Sequence, residues 1–268
     1  MSQIPSDFHL YWRQYLLLNP DLTQDCSYEE ALQHYSHHGF YENRKYKNEN
    51  ENGHGHVNIL VVIVSCNKHE HLWQRIKERT SNNLLIITGS KKNETWYDKN
   101  NKMLYLNCND MYDGLPEKII TMIQEVLHNP EFRDITHIIK IDDHDNFFTD
   151  NDIKSLYSYN ELFTHDYLGK RLNNWNANVV GNYHFGKVPK NSYWHNRVAN
   201  ISHVSYFDGG NSYILSRRAM QIINSVYNSS NIDQLRKDEI YEDLMIGRIL
   251  NNHNIHPCRI NYSIIGDK

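Results

Sequence analysis

The ten residues VNILVVIVSC, at positions 57–66, are apolar almost without interruption and indicate the fold class. A strand buried on both faces has this composition, whereas a strand with one solvated face alternates apolar and polar side chains. Similar runs follow at 83–89, 102–108 and 136–142, and helical spacing occurs at 70–80 and 114–127. This alternation predicts an α/β fold with a largely parallel sheet that helices cover on both faces.

The regions on either side of this pattern suggest how the chain is divided. The polar stretch KNENENGHGH, residues 47–56, is expected to be a linker. Residues 1–46 form a predicted small α-helical module, and residues 57–268 form the main domain. The module is expected to contain two short helices broken at Asn19-Pro20. Beyond position 170 we expect strands near 178–183 and 211–216, and helices at 217–227 and 239–251.

Composition excludes several classes of protein. The chain has 268 residues, of which 39% are hydrophobic, and this is typical of a folded protein with a substantial core. A net charge of -4 argues against a nucleic-acid partner. The four cysteines form no CxxC pair, which favours a reducing compartment. Because we find neither a signal-peptide pattern nor an apolar run of membrane-spanning length, we expect a soluble, cytoplasmic protein.

Three carboxylates and a histidine follow the strand predicted at 136–142. They are Asp142, Asp143, His144 and Asp145. In an open α/β sheet, ligands bind at the carboxyl ends of the strands. Closely spaced carboxylates there suit Mg²⁺ or Mn²⁺ bound together with substrate phosphates. The alternative is a polar turn that only ends the strand, and this cluster alone does not decide between the two.

Three other stretches with characteristic residues accompany the acidic strand along the chain. They are NDMYDGLPEK at 109–118, SYFDGGNSYILS at 205–216 and YEDLMIGRIL at 241–250. This succession resembles the inverting GT-A glycosyltransferases of the β-1,3-galactosyltransferase and Fringe type, over roughly residues 57–265. The resemblance implies a GT-A, Rossmann-like domain with a mixed, mostly parallel sheet. It also implies transfer of a hexose or N-acetylhexosamine from a UDP-sugar to a hydroxyl of a glycan or protein acceptor, with inversion.

The resemblance also assigns roles to matched residues. Asp243 corresponds to the general base, and Glu242 is the other member of its acidic pair. The expected residues of the donor and metal–diphosphate site are Asp142, Asp143, Lys118, Asp208, Gly209 and Gly210. Simpler interpretations exist for two of these stretches: the two glycines could form only a tight turn, and residues 241–250 only an amphipathic helix.

The metal ligands have two alternative assignments, because His144 stands where the family has a third consecutive Asp. Either Asp143 and Asp145 hold the cation, or His144 is itself a ligand. We favour the two carboxylates, since oxygen ligands suit Mg²⁺ or Mn²⁺ better than imidazole does. His256 is a candidate for a further ligand near the end of the chain.

Other functions and roles stay open. A phosphatase of the D-x-D-x-T type is disfavoured, because Asn146-Phe147 follow the acidic cluster. A non-catalytic sugar-binding protein on a degenerate transferase scaffold is compatible with the missing third Asp. Trp194 is predicted either to stack on a sugar ring or to pack in the core. The N-terminal module resembles one appended to glycan-related enzymes, and a homo-oligomer is not excluded.

Overall fold

A computed structural model describes residues 4–5, 8, 12, 15–16, 18–23, 26–46, 57–144, 147–174, 181–201 and 204–263. The strands are β1 (Ile59–Val64), β2 (Leu84–Gly89), β3 (Trp96–Asp98), β4 (Met103–Leu106), β5 (His137–Asp142), β6 (Tyr167–Gly169), β7 (Leu172–Asn174), β8 (Ser205–Phe207), β9 (Tyr213–Ser216) and β10 (Cys258–Arg259). The helices with defined bounds are α1 (Tyr28–His34), α2 (Trp73–Arg79), α3 (Leu115–His128), α4 (Asp150–Leu156), α5 (Arg217–Val226), α6 (Ile232–Asp238) and α7 (Glu242–Asn252).

The main sheet has eight strands in the order β10-β6-β9-β5-β1-β2-β4-β3. Strand β1 is parallel to both β2 and β5, and β2 is parallel to β4. Strand β9 is antiparallel to its neighbours β5 and β6. The predicted mixed, mostly parallel sheet is therefore confirmed, and the four strands expected from apolar runs are all present.

Strand β1 contains no polar position because it is covered on both faces. Leu60, Val62 and Val64 pack into a core with residues of α3, α5 and α7. The intervening Ile59, Val61 and Ile63 pack on the other face with residues of α2 and α4. Both faces of the central strands are covered, as expected for a Rossmann-like layered domain.

Two helix starts follow their sequence signals. Pro116 lies in the first turn of α3, where its missing N–H costs no helical hydrogen bond. Thr149 caps α4, and its hydroxyl and the Asp152 carboxylate form a reciprocal capping box. This cap fixes where the chain resumes a helix after the acidic segment.

The described N-terminal residues have an aromatic core of their own. Its buried members are Phe8, Trp12, Tyr15, Leu16, Ala31 and Tyr35. Leu22 and Leu32 are partly buried and pack against this core. Residues 47–56 lie outside the described residues, so the predicted linker stays a prediction.

The prediction of a strand near 178–183 is wrong for the residues of this stretch that the structure describes. Residues 181–183 form turns, and residues 178–180 lie outside the described part of the chain. Backbone pairing here is local, because Ala199 donates its N–H to the Gly181 carbonyl at 2.6 Å. The short strand β6 lies beside β9 instead. Among the described residues, no helix combines the length and apolar composition that crossing a bilayer requires.

Candidate active site

The predicted functional side chains gather at one edge of the main sheet. The parallel strands β1, β2, β4 and β5 end there, and their carboxyl ends carry Ser65, Gly89, Asp110 and Asp142 or lead directly to them. The antiparallel strand β9 begins at the same edge, preceded by Gly209 and Gly210. Helix α7 also begins here, with Glu242 and Asp243 in its first turn. Ligands of open α/β sheets bind at this edge.

Asp143 is buried and oriented by two donors. Its Oδ2 accepts a hydrogen bond from the Ser65 hydroxyl at 2.6 Å and from His69 Nδ1 at 2.8 Å. The Ser65 oxygen in turn accepts from the Trp73 indole N–H at 2.8 Å. This chain of contacts fixes the Asp143 side chain. Among the described residues, Oδ1 has no close donor, since His144 Nδ1 is 3.9 Å away.

Lys118 and Asp110 form a second, structural contact at the same edge. The Lys118 ammonium donates to Asp110 Oδ1 and to the Ser65 carbonyl, both at 2.7 Å. Backbone N–H groups of Asn67 and Gly89 also donate to Asp110. Burial raises the pKa of Asp110, but Lys118 and these donors outweigh it and lower the pKa overall. Lys118 is buried, so its observed contacts position the β1 loop and do not face solvent.

Lys140 connects the end of β5 to the start of α7. Its buried ammonium lies 2.8 Å from Asp142 Oδ1 and 2.6 Å from Glu242 Oε1, and it donates to the Gly209 carbonyl at 2.8 Å. Burial alone would lower the pKa of Lys140, but the carboxylates of Asp142 and Glu242 raise it overall. Burial raises the pKa of Glu242 to about 7, with Lys140 opposing this and Asp243 adding to it. Glu242 also accepts from the Tyr213 hydroxyl, so both of its oxygens are engaged.

Asp243 differs from Glu242 in that it is partly exposed. Its Oδ1 accepts the Leu244 N–H at 2.8 Å, and its Oδ2 accepts the Gly209 N–H at 3.3 Å. Burial raises the pKa of Asp243, although these two N–H donors oppose the rise. The position at the first turn of a helix also favours a negative charge. A carboxylate with a raised pKa and an open side suits proton transfer.

The two glycines differ in how closely they are surrounded. A Cβ on Gly209 would overlap Glu242 Oε1 and lie 3.2 Å from the Lys140 ammonium. Among the described residues, a Cβ on Gly210 would meet Asp208 Oδ1 at 3.3 Å and Asp142 Oδ2 at 3.8 Å. Asp208 itself accepts the Gly210 N–H at 3.0 Å, which shapes the turn before β9. Gly209 is therefore required by close packing, and the glycine pair does form a turn.

Aromatic side chains lie beside Asp243. Burial raises the pKa of Tyr112, and the nearby Tyr241, Tyr183 and Asp243 raise it further. The Tyr183 and Tyr241 ring centroids are 6.5 Å apart, and Tyr183 is 65% exposed. The Lys187 ammonium lies 3.2 Å from the Tyr183 ring centroid and 5.4 Å from that of Tyr112. This group forms an exposed, partly aromatic wall next to the carboxylate.

The described acidic residues have the chemistry for a hard cation. Asp142 uses Oδ1 for Lys140, and Asp143 uses Oδ2 for Ser65 and His69, so each keeps one oxygen free of a donor at hydrogen-bond distance among the described residues. Carboxylate oxygens of this kind suit Mg²⁺ or Mn²⁺. Within the part of the chain that the structure describes, no three His, Cys, Asp or Glu side chains are grouped as a metal site. Asp145, the favoured second ligand, lies outside the described residues.

The remaining predicted positions are separate or structural. His144 is 71% exposed and lies beside His69, with ring centroids 6.0 Å apart. His256 is exposed after α7. Trp194 is buried with Val188 and donates its indole N–H to the Arg236 carbonyl at 2.9 Å. Of its two predicted roles, core packing is the observed one.

Sequence reasoning missed Ser65, Asn67 and His69, although a signal was present. They belong to the polar stretch SCNKHEH, which directly follows the apolar run of β1. Since the carboxyl ends of parallel strands meet at one edge, the position of this polar stretch could have been used to place it beside the acidic residues of β5.

This mixed, mostly parallel sheet, flanked by helices and carrying acidic side chains at the edge where β5, β9 and α7 meet, has the architecture of a GT-A, Rossmann-like domain. The sequence model described as Galactosyltransferase matches residues 88–261, which is well over half of the chain. The chain therefore belongs to the galactosyltransferase family, and its class of activity is glycosyl transfer. A search of curated proteins found no match.

Proposed function

We propose that the protein is a metal-dependent inverting glycosyltransferase that moves a hexose or N-acetylhexosamine from a UDP-sugar to a hydroxyl of a glycan or glycoprotein. One observation carries the proposal. Lys140 contacts Asp142 and Glu242, and Asp142 ends β5 while Glu242 and the adjacent Asp243 begin α7. The contact brings an acidic pair suited to a metal–diphosphate and a carboxylate suited to proton removal to the same edge.

At the donor side, Asp143 would hold the cation through the oxygen that has no donor among the described residues, together with Asp145, the second ligand predicted from the sequence, and Asp142 would supply a further oxygen. A divalent cation held there would neutralise the negative charge on a leaving diphosphate. The chain's own part is orientation: Ser65 and His69 fix Asp143, and Lys140 fixes Asp142. Gly210, with little around it, allows the backbone to approach a sugar or phosphate closely.

At the acceptor side, Asp243 is the proposed general base. The acceptor oxygen forms a bond to the anomeric carbon while the bond from that carbon to the diphosphate oxygen breaks. The hydroxyl proton passes to Asp243, and UDP leaves on the opposite face, which inverts the linkage. Glu242 is buried and has both oxygens engaged, so we assign it a positioning role for Lys140 and not a catalytic one.

The wall of Tyr112, Tyr183 and Tyr241 supports a sugar acceptor. Aromatic rings offer an apolar face together with a hydroxyl, a combination that matches the two kinds of surface on a pyranose. Tyr241 is held in place by His184, whose Nδ1 lies 2.8 Å from the tyrosine hydroxyl. The wall therefore presents a fixed surface next to the proposed base.

The test measures UDP release from a panel of UDP-hexoses and UDP-N-acetylhexosamines in the presence of Mn²⁺. Each donor is tested with and without a chelator, and with and without sugar acceptors. Metal-dependent release with one donor, lost in Asp243→Asn but kept in Asp134→Asn, is the expected result. Asp134 is an exposed carboxylate before β5, at the opposite end of that strand from the site. Binding of a nucleotide sugar without turnover under every condition would favour the sugar-binding alternative, and no binding would contradict the proposal.

A further inference from the structure

A cavity of about 660 Å³ lies away from the acidic edge, between the turn segment 181–201 and helices α5, α6 and α7. Its volume is within the range of small-molecule sites, roughly 300–1,000 Å³. Its lining includes Tyr193, Arg197, Lys237, Asp238, Glu239 and Arg248. None of them belongs to the proposed transferase site.

The cavity lies on a different side of α7 from the proposed base. Arg248 follows Asp243 by five residues, which corresponds to about 140° around a helix beyond one full turn. Trp194 and Tyr227, both buried, also line the cavity. The two sites thus share helix α7 but open in different directions.

The carboxylates of the cavity are already satisfied. Glu239 is paired with Arg248 and accepts from the Tyr227 hydroxyl at 3.3 Å. Asp238 accepts from the same hydroxyl at 3.1 Å and from the Gln234 amide at 2.7 Å. These bonds fix the inner wall and neutralise Arg248.

The two other cations of the cavity have no such partner. Arg197 and Lys237 are exposed, and neither makes an ion pair with a described residue. The Arg197 guanidinium lies 4.1 Å from the Tyr193 ring centroid, and this contact holds it at the rim without cancelling its charge. Although the whole chain carries a net charge of -4, this rim is therefore locally positive.

We propose that this cavity binds a saccharide that carries an anionic group. Arg197 and Lys237 receive the carboxylate or the sulfate or phosphate ester. The exposed Tyr193 and the fixed polar inner wall receive the ring and its hydroxyls. The site does not depend on the proposed transferase reaction, and its ligand binds without metal or nucleotide.

The test is a titration of the full chain with glucuronic acid, glucose 6-sulfate, glucose 6-phosphate and glucose, without UDP or divalent cations. Affinities are measured by ligand-observed NMR. At least one of the three anionic sugars is expected to bind more tightly than glucose by about fivefold or more, the size of one exposed charge contact. The three anionic sugars distinguish a carboxylate from a sulfate or phosphate source.

Single substitutions test whether Arg197 and Lys237 cause the preference for anionic sugars. Arg197→Ala and Lys237→Ala are each expected to weaken the anionic sugar to the level of glucose. Lys190→Ala, an exposed cation of the same segment outside the cavity, is expected to leave binding unchanged. Equal loss in Lys190→Ala, equal binding of glucose and all three anionic sugars, or inorganic sulfate binding as tightly as glucose 6-sulfate would overturn the proposal. Thermal unfolding of each variant shows that it is folded.

Discussion

Lys140 and Glu242 are separated by 102 residues in sequence, yet they form a buried ion pair at 2.6 Å in the centre of the site. The pair joins β5, which carries the acidic cluster, to α7, which carries the proposed base. Because both side chains are buried, removing one partner leaves the other charge buried and unpaired, which strongly destabilises the fold.

Lys140→Met is expected to lower the free energy of unfolding by about 3–5 kcal/mol at pH 8, because Glu242 is left buried without its cation. The double variant Lys140→Met/Glu242→Gln is expected to lose less than the sum of the two single changes. Urea unfolding measures all three. Lys99→Met removes the exposed pair of Lys99 with Glu131 and is expected to cost at most about 1 kcal/mol. Additive single changes would contradict a coupled pair.

The raised pKa of Glu242 predicts a pH dependence of stability. Burial raises this pKa from 4.5 to about 7 in the folded chain. As pH rises through this window, the unfolded chain ionises while the folded chain keeps its proton. The free energy of unfolding therefore falls by up to about 3 kcal/mol.

Glu242→Gln removes this ionisation and serves as the matched control for the pH effect. The difference in unfolding free energy, wild type minus Glu242→Gln, is expected to decrease steadily between pH 5 and pH 7.5. Asp243 titrates in both proteins, so most of its contribution cancels in the difference. Parallel pH profiles for the two proteins would show that Glu242 keeps an ordinary pKa.

Gly209→Ala is expected to destabilise the fold by about 1–3 kcal/mol, because the new methyl group overlaps the buried Glu242 carboxylate. Gly210→Ala is the matched comparison, since its nearest new contact is the Asp208 carboxylate at 3.3 Å. Chemical unfolding should show the larger loss for Gly209→Ala. Equal losses in both variants would mean that the close packing around Gly209 does not limit stability.

His69→Ala is expected to weaken Mn²⁺ binding by about 10–100-fold, because residues that orient a metal ligand contribute on this scale. His69 donates to the buried Asp143, whereas the neighbouring His71 is exposed. Calorimetric titration with Mn²⁺ in the presence of UDP measures the effect, and His71→Ala is the control. If both variants bind Mn²⁺ like the wild type, Asp143 is not the ligand that His69 orients.

The strands that position the site were predictable because each is buried on both faces. β1 is apolar throughout, and between His137 and Asp142 only Lys140 interrupts the apolar run of β5, so their composition marks them as central strands. The short strands β6, β8 and β10 have three residues or fewer, too few to show a period of two. Their positions depend on pairing with β9, β7 and β6, which local sequence does not encode.

The candidate site was predictable to a similar degree. Asp142, Asp143 and Asp243 could be chosen from motif order, and the structure places them at one edge. The role of Lys140 could not be predicted from the sequence, because its partner Glu242 is distant along the chain. Their contact forms only when the sheet and α7 pack together. Ser65 was missed because it was interpreted as the end of a strand, where its hydroxyl in fact orients Asp143.

The central claim is that Asp142 and Asp143 hold the donor while Asp243 removes the acceptor proton. The most direct test measures UDP affinity in the presence of Mn²⁺, together with turnover, for Asp143→Asn and Asp243→Asn. The account predicts that Asp143→Asn loses both binding and turnover. It predicts that Asp243→Asn binds UDP like the wild type but loses about 10²–10⁴-fold in turnover. Wild-type turnover in Asp243→Asn, or wild-type Mn²⁺-dependent UDP affinity in Asp143→Asn, would contradict it.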